Sequence, residues 1–170
     1  MSHETISIRT DDGDCPVHVF GPDTTGQWPG VVMFMDGLGV RPALFEIGQR
    51  LSDGGYCVLL PDLYYRIEFL PVDGWNMFRD PVLRAEWTSR VLPTVSIANI
   101  IRDTPAFFAH LNSRGDVREG KIGTTGYCLG GRLSLAAAGR FSRGNCRGGL
   151  LPPAISRRMR RTARIALHRR

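Results

Sequence analysis

The sequence predicts an α/β fold built on one mostly parallel sheet, and three observations favour it. Two continuous apolar runs, at residues 30–37 and 56–60, are typical of strands that are covered on both faces. Segments with helical periodicity lie between and after these runs, so that strands and helices alternate along the chain. The chain has 170 residues, of which 42% are hydrophobic and 22% are charged, and this composition fits one globular domain with a real core.

The first two elements are predicted to form an antiparallel hairpin at one edge of the sheet. Residues 5–9 alternate between apolar and polar side chains, with the period of two that is typical of a half-buried strand. A second short strand is predicted at residues 17–20. The polar turn at residues 11–14 joins the two strands and is too short for a parallel crossover.

Helices and strands then follow in turn along the chain. Apolar residues recur at helical spacing over residues 42–53, which predicts an amphipathic helix that ends at the glycine pair 54–55. Residues 62–94 are predicted to be irregular, with short helices that lie over the sheet. A helix over residues 96–112 is expected to kink at Pro105, because proline removes an intrahelical hydrogen bond.

A strained turn that carries a cysteine is predicted at the sequence GYCLGG, between a strand over residues 121–127 and a helix over residues 129–139. This pattern is the G-x-nucleophile-x-G elbow, with Cys128 in the place of the more usual serine. The N-terminus of the following helix favours a thiolate, and the backbone N–H of Leu129 is a natural oxyanion donor. The alternative is that Cys128 is an ordinary buried cysteine.

Three segments resemble the dienelactone hydrolase (carboxymethylenebutenolidase) family of α/β-hydrolases, namely VVMFMDGLGV, VLLPDLYYR and GYCLGG. They occur in the family's order, and the resemblance extends over roughly residues 5–140. It implies a three-layer α/β-hydrolase sandwich that is truncated here after the nucleophile helix. It also implies a hydrolase that opens a lactone, or cleaves a carboxylic ester, through a Cys-Asp-His triad.

The same resemblance implies roles for particular residues near the predicted elbow. Cys128 is implied to be the nucleophile, and the N–H groups of Leu129 and Gly37 are implied to form the oxyanion hole. Asp36 stands where the family carries a glutamate that contacts the resting thiol, although its side chain is one methylene shorter. The alternative for Asp36 is a carboxylate that caps a helix or closes the end of a strand.

Two arginines are candidates for binding a substrate carboxylate by the same resemblance. Arg66 and Arg84 lie in the region where the family holds that group, and the spacing does not choose between them. The alternative for each is a solvated surface arginine. The resemblance predicts a small lactone or ester as the substrate, with no cofactor and no metal ion.

The end of the chain differs from the rest in composition. Residues 140–170 contain ten arginines and no acidic residue, so the net charge of +6 describes a tail and not a domain. This segment also shows no strand pattern. We expect an α/β-hydrolase part at residues 1–141 and an Arg-rich, disordered tail at residues 142–170, and we hypothesise a shift of reading frame near residues 141–145.

The usual partners of the nucleophile are missing from the sequence. In this fold the acid and the histidine follow the nucleophile, yet no acidic residue follows Cys128 and the one later histidine is His168. His3, His18 and His110 precede it and are expected to be structural or solvated. Because loss of the orienting acid costs about 10⁴-fold in kcat in the serine enzymes, we expect an impaired hydrolase. The alternative is a non-catalytic remnant, or a binding module whose basic tail binds nucleic acid weakly through its phosphates.

The remaining expectations concern the location of the protein in the cell, the state of its cysteines and its association with other molecules. No apolar run is long enough to span a bilayer and the first residues do not resemble a secretory signal, so a cytoplasmic protein is predicted. The four cysteines have no metal-ligand spacing and are expected to be reduced thiols. Specific nucleic-acid recognition is not expected. A sheet that stops after its nucleophile strand exposes an edge, which predicts self-association.

Overall fold

The predicted strands form a single five-stranded sheet in the computed structural model of the protein, which describes residues 2–67, 74–120 and 122–141. The strands are β1 (Ser2–Thr10), β2 (Gly13–Gly21), β3 (Gly30–Phe34), β4 (Cys57–Pro61) and β5 (Gly123–Gly126). Their order across the sheet is β1-β2-β4-β3-β5. The antiparallel hairpin therefore lies at one side of the sheet, and the strand that precedes Cys128 lies at the other.

The hairpin at the edge of the sheet is confirmed and is longer than predicted. β1 pairs antiparallel with β2 over the full length of both strands, and β2 pairs antiparallel with β4. Gly13 closes the turn with a φ of +143°, a conformation that side chains with a Cβ rarely adopt. Backbone pairing continues past the apolar residues of each strand, which is why the hydrophobic pattern underestimated their length.

The other three strands, β4, β3 and β5, are parallel to one another, as the alternation of elements predicted. β3 lies between β4 and β5, with Val31 opposite Val58 in β4 and Gly123 in β5. Every residue of β3 and β4 is buried, which confirms that these strands are covered on both faces. Because the strands are parallel, the loops that follow them meet at one edge of the sheet.

Helices cover the two faces of the sheet. They are α1 (Pro42–Asp53), α2 (Gly74–Arg79), α3 (Pro81–Glu86), α4 (Ile97–Ser113) and α5 (Leu129–Phe141). On one face α1 packs against β2 and β4, and a Cβ on Gly48 would lie 2.7 Å from the ring of Phe20. On the other face α4 and α5 pack against each other and against β3. Side chains alternate along β2, so Phe20, which packs against α1, and Cys15 point to opposite faces of the sheet.

The segment between β4 and α4 contains short helical pieces, as predicted. After α2 and α3 the chain forms a π-helical turn, Trp87–Val91, and a 3₁₀ turn, Leu92–Val95. Asp80 caps α3 by accepting hydrogen bonds from two backbone N–H groups, and Ser96 caps α4 by accepting one, from Asn99. Val91 and Val95 are buried, and they anchor the segment on the core.

Arg66 connects the segment after β4 to α4 and to the β1–β2 turn. Its Nη2 donates to both carboxylate oxygens of Asp103, at 2.7 and 2.8 Å, and its Nε donates to Asp12 at 2.7 Å. The side chain of Asp103 is fully buried and that of Arg66 is 11% exposed. Burial raises the pKa of Asp103, and the bonds from Arg66 oppose that rise. The three elements are therefore joined by two ion pairs, of which the one with Asp103 lies in the interior.

The residues beyond 141 lie outside the described part of the chain. The predictions of a disordered basic tail and of a frameshift concern these residues, which include Cys146 and His168. Lys121, at the start of the predicted last strand, also lies outside it. In the described ranges no helix is long and apolar enough to cross a membrane.

The substitution Asp103→Ala should destabilise the fold, because it leaves the Arg66 guanidinium in the interior without its main counter-charge. We expect the free energy of unfolding to fall by about 3 kcal/mol, measured by urea denaturation. Asp14→Ala is the control, since it breaks the exposed ion pair with Arg9 and should change stability little. Equal effects of the two substitutions would contradict a role for the buried pair.

Candidate active site

Cys128 lies in the sharp turn between β5 and α5. β5 ends at Gly126 and α5 begins at Leu129. Among the described residues Cys128 alone has a positive φ without being glycine, and its value is +53°. This left-handed conformation is strained for a residue with a Cβ, and it is the conformation that a nucleophile elbow needs. The residue is exposed, so it is not the buried cysteine that the sequence left as the alternative.

Two glycines are required where α5 meets the strands. A Cβ on Gly126 would lie 2.3 Å from the carbonyl oxygen of Gly130. A Cβ on Gly130 would lie 2.2 Å from the carbonyl oxygen of Phe34 and 2.5 Å from that of Met35. These neighbours are backbone atoms, which cannot move aside as the end of a flexible side chain can. The first turn of α5 therefore touches the carboxyl ends of both β5 and β3, and it holds Cys128 beside them.

The start of α5 presents backbone donors near the thiol. Gly130 donates to the carbonyl of Tyr127 at 2.9 Å, which closes the turn around Cys128. The first N–H groups of a helix have no partner within it, and the N-terminal end of the helix favours an anion. Leu129 heads α5, and Gly37 follows β3 at the same edge of the sheet. The N–H groups of Leu129 and Gly37 donate to no backbone carbonyl in the turns and loops of the described ranges.

The carboxylate of Asp36 is bound by Arg41. The Nη1 of Arg41 donates to Oδ1 of Asp36 at 2.5 Å, and its Nη2 donates to Oδ2 at 2.7 Å. The backbone N–H of Leu38 also donates to Oδ1, at 3.0 Å, and Arg41 reaches the carbonyl of Gly39 at 3.2 Å. These contacts favour the alternative that Asp36 closes the end of its strand. Its contact with the thiol of Cys128 stays a prediction.

Tyr64 and Trp87 were missed as site residues by the sequence analysis. The hydroxyl of Tyr64 donates to the carbonyl of Gly37 at 2.8 Å, and Nε1 of Trp87 donates to that hydroxyl at 3.1 Å. Burial is the main cause that raises the pKa of Tyr64 to about 12, and the charges of Asp36 and Cys128 add to the rise. The bond to Gly37 places the hydroxyl of Tyr64 at the turn that follows β3. Its place just after β4, at the edge where parallel strands end, was the signal that could have identified it.

The two arginines predicted to bind a substrate carboxylate differ in their surroundings. Arg66 is at the expected edge of the sheet, but its guanidinium already binds the carboxylates of Asp12 and Asp103. Arg84 is exposed on α3. The contacts of Arg66 favour a structural role, and substrate binding by either arginine stays a prediction.

None of the three described histidines lies beside Cys128. His3 and His18 are hydrogen-bonded to each other at 3.1 Å on β1 and β2. Two strands separate β2 from β5, which corresponds to roughly 14 Å at the usual spacing of strands. His110 lies in the last turn of α4, and the chain after it pairs with Trp28 at the amino end of β3. In the described ranges no cluster of His, Cys, Asp or Glu could hold a metal ion.

A cysteine presented on such a turn, at the carboxyl edge of a parallel sheet with helices on both faces, is the arrangement of the α/β-hydrolases. Comparison with known families identifies one family within this class. The sequence profile described as Dienelactone hydrolase family matches residues 16–151 of this chain. The chain belongs to the dienelactone hydrolase family. The match ends ten residues beyond the predicted domain boundary at residue 141.

Individual relatives agree with this assignment. A putative carboxymethylenebutenolidase from Methylorubrum extorquens is 27% identical over 129 residues, which are 76% of this chain and 42% of that protein. A carboxymethylenebutenolidase from Pseudomonas putida is 26% identical over 140 residues, which are 82% of this chain and 57% of that protein. The crystal structure of a putative dienelactone hydrolase from Klebsiella pneumoniae superposes with a TM-score of 0.65 at 25% identity, covering 81% of this chain and 54% of that one. The chain spans about half the length of the curated relatives that it matches.

The substitution Gly130→Ala should break the contact between α5 and β3. The added Cβ would lie 2.2 Å from the carbonyl oxygen of Phe34, and we expect the free energy of unfolding to fall by about 3 kcal/mol. Gly131→Ala is the matched control in the same helical turn, where the nearest atom would lie at 3.4 Å. There we expect no loss, and a gain of up to about 1 kcal/mol from helix propensity. Similar losses in both variants, measured by urea denaturation, would disprove the steric argument.

Proposed function

We propose that the protein is a carboxylic ester or lactone hydrolase in which Cys128 is the nucleophile. The observation that carries the proposal is the left-handed conformation of an exposed cysteine between two glycines that cannot bear a side chain. Backbone strain of this kind persists only where the surroundings impose it, and such sites are often functional. The family match, and the relatives named as carboxymethylenebutenolidases, support the same class of reaction.

The proposed reaction begins when the thiolate of Cys128 attacks the carbonyl carbon of the substrate. A C–S bond forms and the π electrons of the carbonyl move to its oxygen, where the N–H groups of Leu129 and Gly37 stabilise the charge. The oxyanion then collapses, and the C–O bond to the leaving alkoxide breaks. The product of this half-reaction is a thioester on Cys128. Water hydrolyses the thioester, which releases a carboxylic acid and restores the thiol.

Turnover by this chain is proposed to be slow, because the described residues bring no histidine to Cys128. A cysteine depends less on a base than a serine does, since a few per cent of a free thiol is already ionised at neutral pH. Deacylation lacks this advantage, since water must lose a proton as it attacks. We therefore propose that acylation proceeds and that deacylation limits the rate.

An initial burst with p-nitrophenyl acetate tests this proposal. We expect roughly one equivalent of p-nitrophenolate per chain to be released quickly and a slow phase to follow, because the acyl-enzyme accumulates. Mass spectrometry of the quenched protein should locate the acetyl group on Cys128. The variant Cys128→Ala should show no burst.

Two other cysteines provide the controls for the burst experiment. Cys57 is buried, and burial raises its pKa to about 11, so Cys57→Ala should keep the full burst. Cys146 lies outside the described residues, and Cys146→Ala shows whether that thiol contributes. A burst that survives in Cys128→Ala would refute the assignment of the nucleophile.

We also propose that the chain self-associates through the outer edge of β5. In the described sheet β5 is the last strand and pairs with β3 alone, so its other edge presents unpaired backbone groups. On the adjoining helix α5, the side chain of Leu135 is 76% exposed. An unpaired edge beside exposed apolar surface favours coverage by another chain.

Sedimentation velocity tests the proposed self-association. The unaltered protein should sediment as a dimer or larger species, and Leu135→Lys should shift it towards the monomer, because a charge on this surface opposes burial. Val82→Lys is the matched control, since Val82 is 74% exposed but lies on α3 and not on the helix that adjoins β5. A monodisperse monomer in the unaltered protein would contradict the proposal.

A further inference from the structure

The peptide between Gly37 and Leu38 is held at both of its ends. The hydroxyl of Tyr64 donates to the carbonyl of Gly37 at 2.8 Å, and Oδ1 of Asp36 accepts from the N–H of Leu38 at 3.0 Å. Gly37 has no Cβ, so side-chain sterics do not restrict its φ and ψ. The direction of the Gly37 carbonyl therefore depends on these contacts. The N–H of Gly37 belongs to the preceding peptide, between Asp36 and Gly37, and is joined to that carbonyl through the Gly37 Cα.

Trp87 supports Tyr64 in this arrangement. Its Nε1 donates to the hydroxyl oxygen of Tyr64 at 3.1 Å. Its ring also lies against Gly37, where an added Cβ would come within 3.1 Å of Cζ2. Trp87 is the first residue of a π-helical turn, and such turns are rare and occur frequently at functional sites. One indole thus contacts both the turn after β3 and the tyrosine that holds it.

We infer that Tyr64, held by Trp87, is a positioning residue that fixes the carbonyl of Gly37 and, through the backbone of Gly37, the direction of its N–H for stabilisation of the oxyanion. The inference rests on the proposed function, because it takes the N–H of Gly37 as one of the two oxyanion donors. Tyr64 uses its own hydroxyl hydrogen on the carbonyl of Gly37, so it acts through the backbone and not on the substrate. Asp36 and Arg41 hold the other end of the same peptide.

The position of the Gly37 N–H matters because oxyanion donors act over short distances. A donor must lie about 2.7–3.1 Å from the place that the oxyanion will occupy. A displacement of about 1 Å can lower the rate about 10²-fold. The pKa of Tyr64 is raised to about 12, chiefly by burial, so its hydroxyl keeps the donating hydrogen at neutral pH. The hydroxyl can therefore donate to the carbonyl of Gly37 at neutral pH.

The variant Tyr64→Phe tests the inference by separating two reactions of one thiol. Acylation by p-nitrophenyl acetate passes through an oxyanion, whereas alkylation by iodoacetamide displaces iodide and forms none. We expect Tyr64→Phe to slow the burst about 10- to 100-fold and to leave the rate of Cys128 alkylation unchanged. Alkylation is measured on the Cys128 peptide by mass spectrometry.

Tyr65→Phe is the matched control in the 170-residue protein. The hydroxyl of Tyr65 bonds to Thr10 at 2.7 Å and donates to Asp103 at 3.3 Å, away from the Gly37 turn. Tyr65→Phe removes a phenolic hydroxyl, as Tyr64→Phe does, but from the next residue in the chain. It should leave acylation and alkylation of Cys128 unchanged. Selective slowing in Tyr64→Phe alone supports the inference.

Two outcomes with Tyr64→Phe would overturn the inference. One is acylation at the unaltered rate. The other is an equal slowing of acylation and alkylation, which would show that the substitution changes the reactivity of the Cys128 thiol and not the stabilisation of the oxyanion. Should circular dichroism show that Tyr64→Phe is unfolded, Trp87→Phe replaces it, because it removes the Nε1 donor and keeps an aromatic ring. Trp87→Phe must then slow acylation and spare alkylation, and any other result rejects the inference.

The two proposals fail in different ways. If the burst survives in Cys128→Ala, the assignment of the nucleophile is wrong, and the oxyanion argument for Tyr64 fails with it. If the burst depends on Cys128 but Tyr64→Phe leaves it unaltered, the nucleophile stands and the positioning role alone is rejected.

Discussion

The close contact of α5 with the carboxyl ends of β3 and β5 is the constraint on which the rest of the site depends. Gly126 and Gly130 let backbone meet backbone at distances that a single Cβ would prevent. The chain can leave β5 and enter α5 only through a left-handed residue, and that residue is Cys128. The same contact brings the N-terminus of the helix to the turn that contains Gly37. Packing therefore determines where the proposed nucleophile lies.

The loops around Cys128 are fixed by polar contacts between parts of the chain that lie at one edge of the sheet. Asp36 and Arg41 close the turn after β3, and Tyr64 reaches that turn from the end of β4. Two residues further on, Arg66 anchors the same segment on α4. A site held in this way does not have to reorganise when charge develops, which is the basis of electrostatic catalysis.

The sequence predicted those parts that local pattern decides. Continuous apolar runs identified β3 and β4, helical spacing identified α1, and glycines at fixed offsets identified the turn at Cys128. It could not predict the bond from Tyr64 to Gly37, which spans 27 positions and depends on which loops neighbouring strands bring together. Arg66 shows the same limit, since it lies at the expected edge but faces a buried carboxylate on α4. Such pairings follow from tertiary packing, and no local spacing indicates them.

The position of the Trp87 indole depends on the number of residues in the π-helical turn Trp87–Val91, which is distant from Cys128 in the sequence. A π-turn accommodates one residue more than an α-turn, so a deletion of one codon there would restore ordinary helical spacing. Each residue of an α-helix advances about 100° around the axis, and such a deletion would carry the indole away from its tyrosine partner. Homologues could therefore keep the whole GYCLGG motif and still differ in reactivity through a single gap 40 positions upstream of the thiol. Alignments of this family should be examined for insertions and deletions there as closely as for substitutions at the nucleophile.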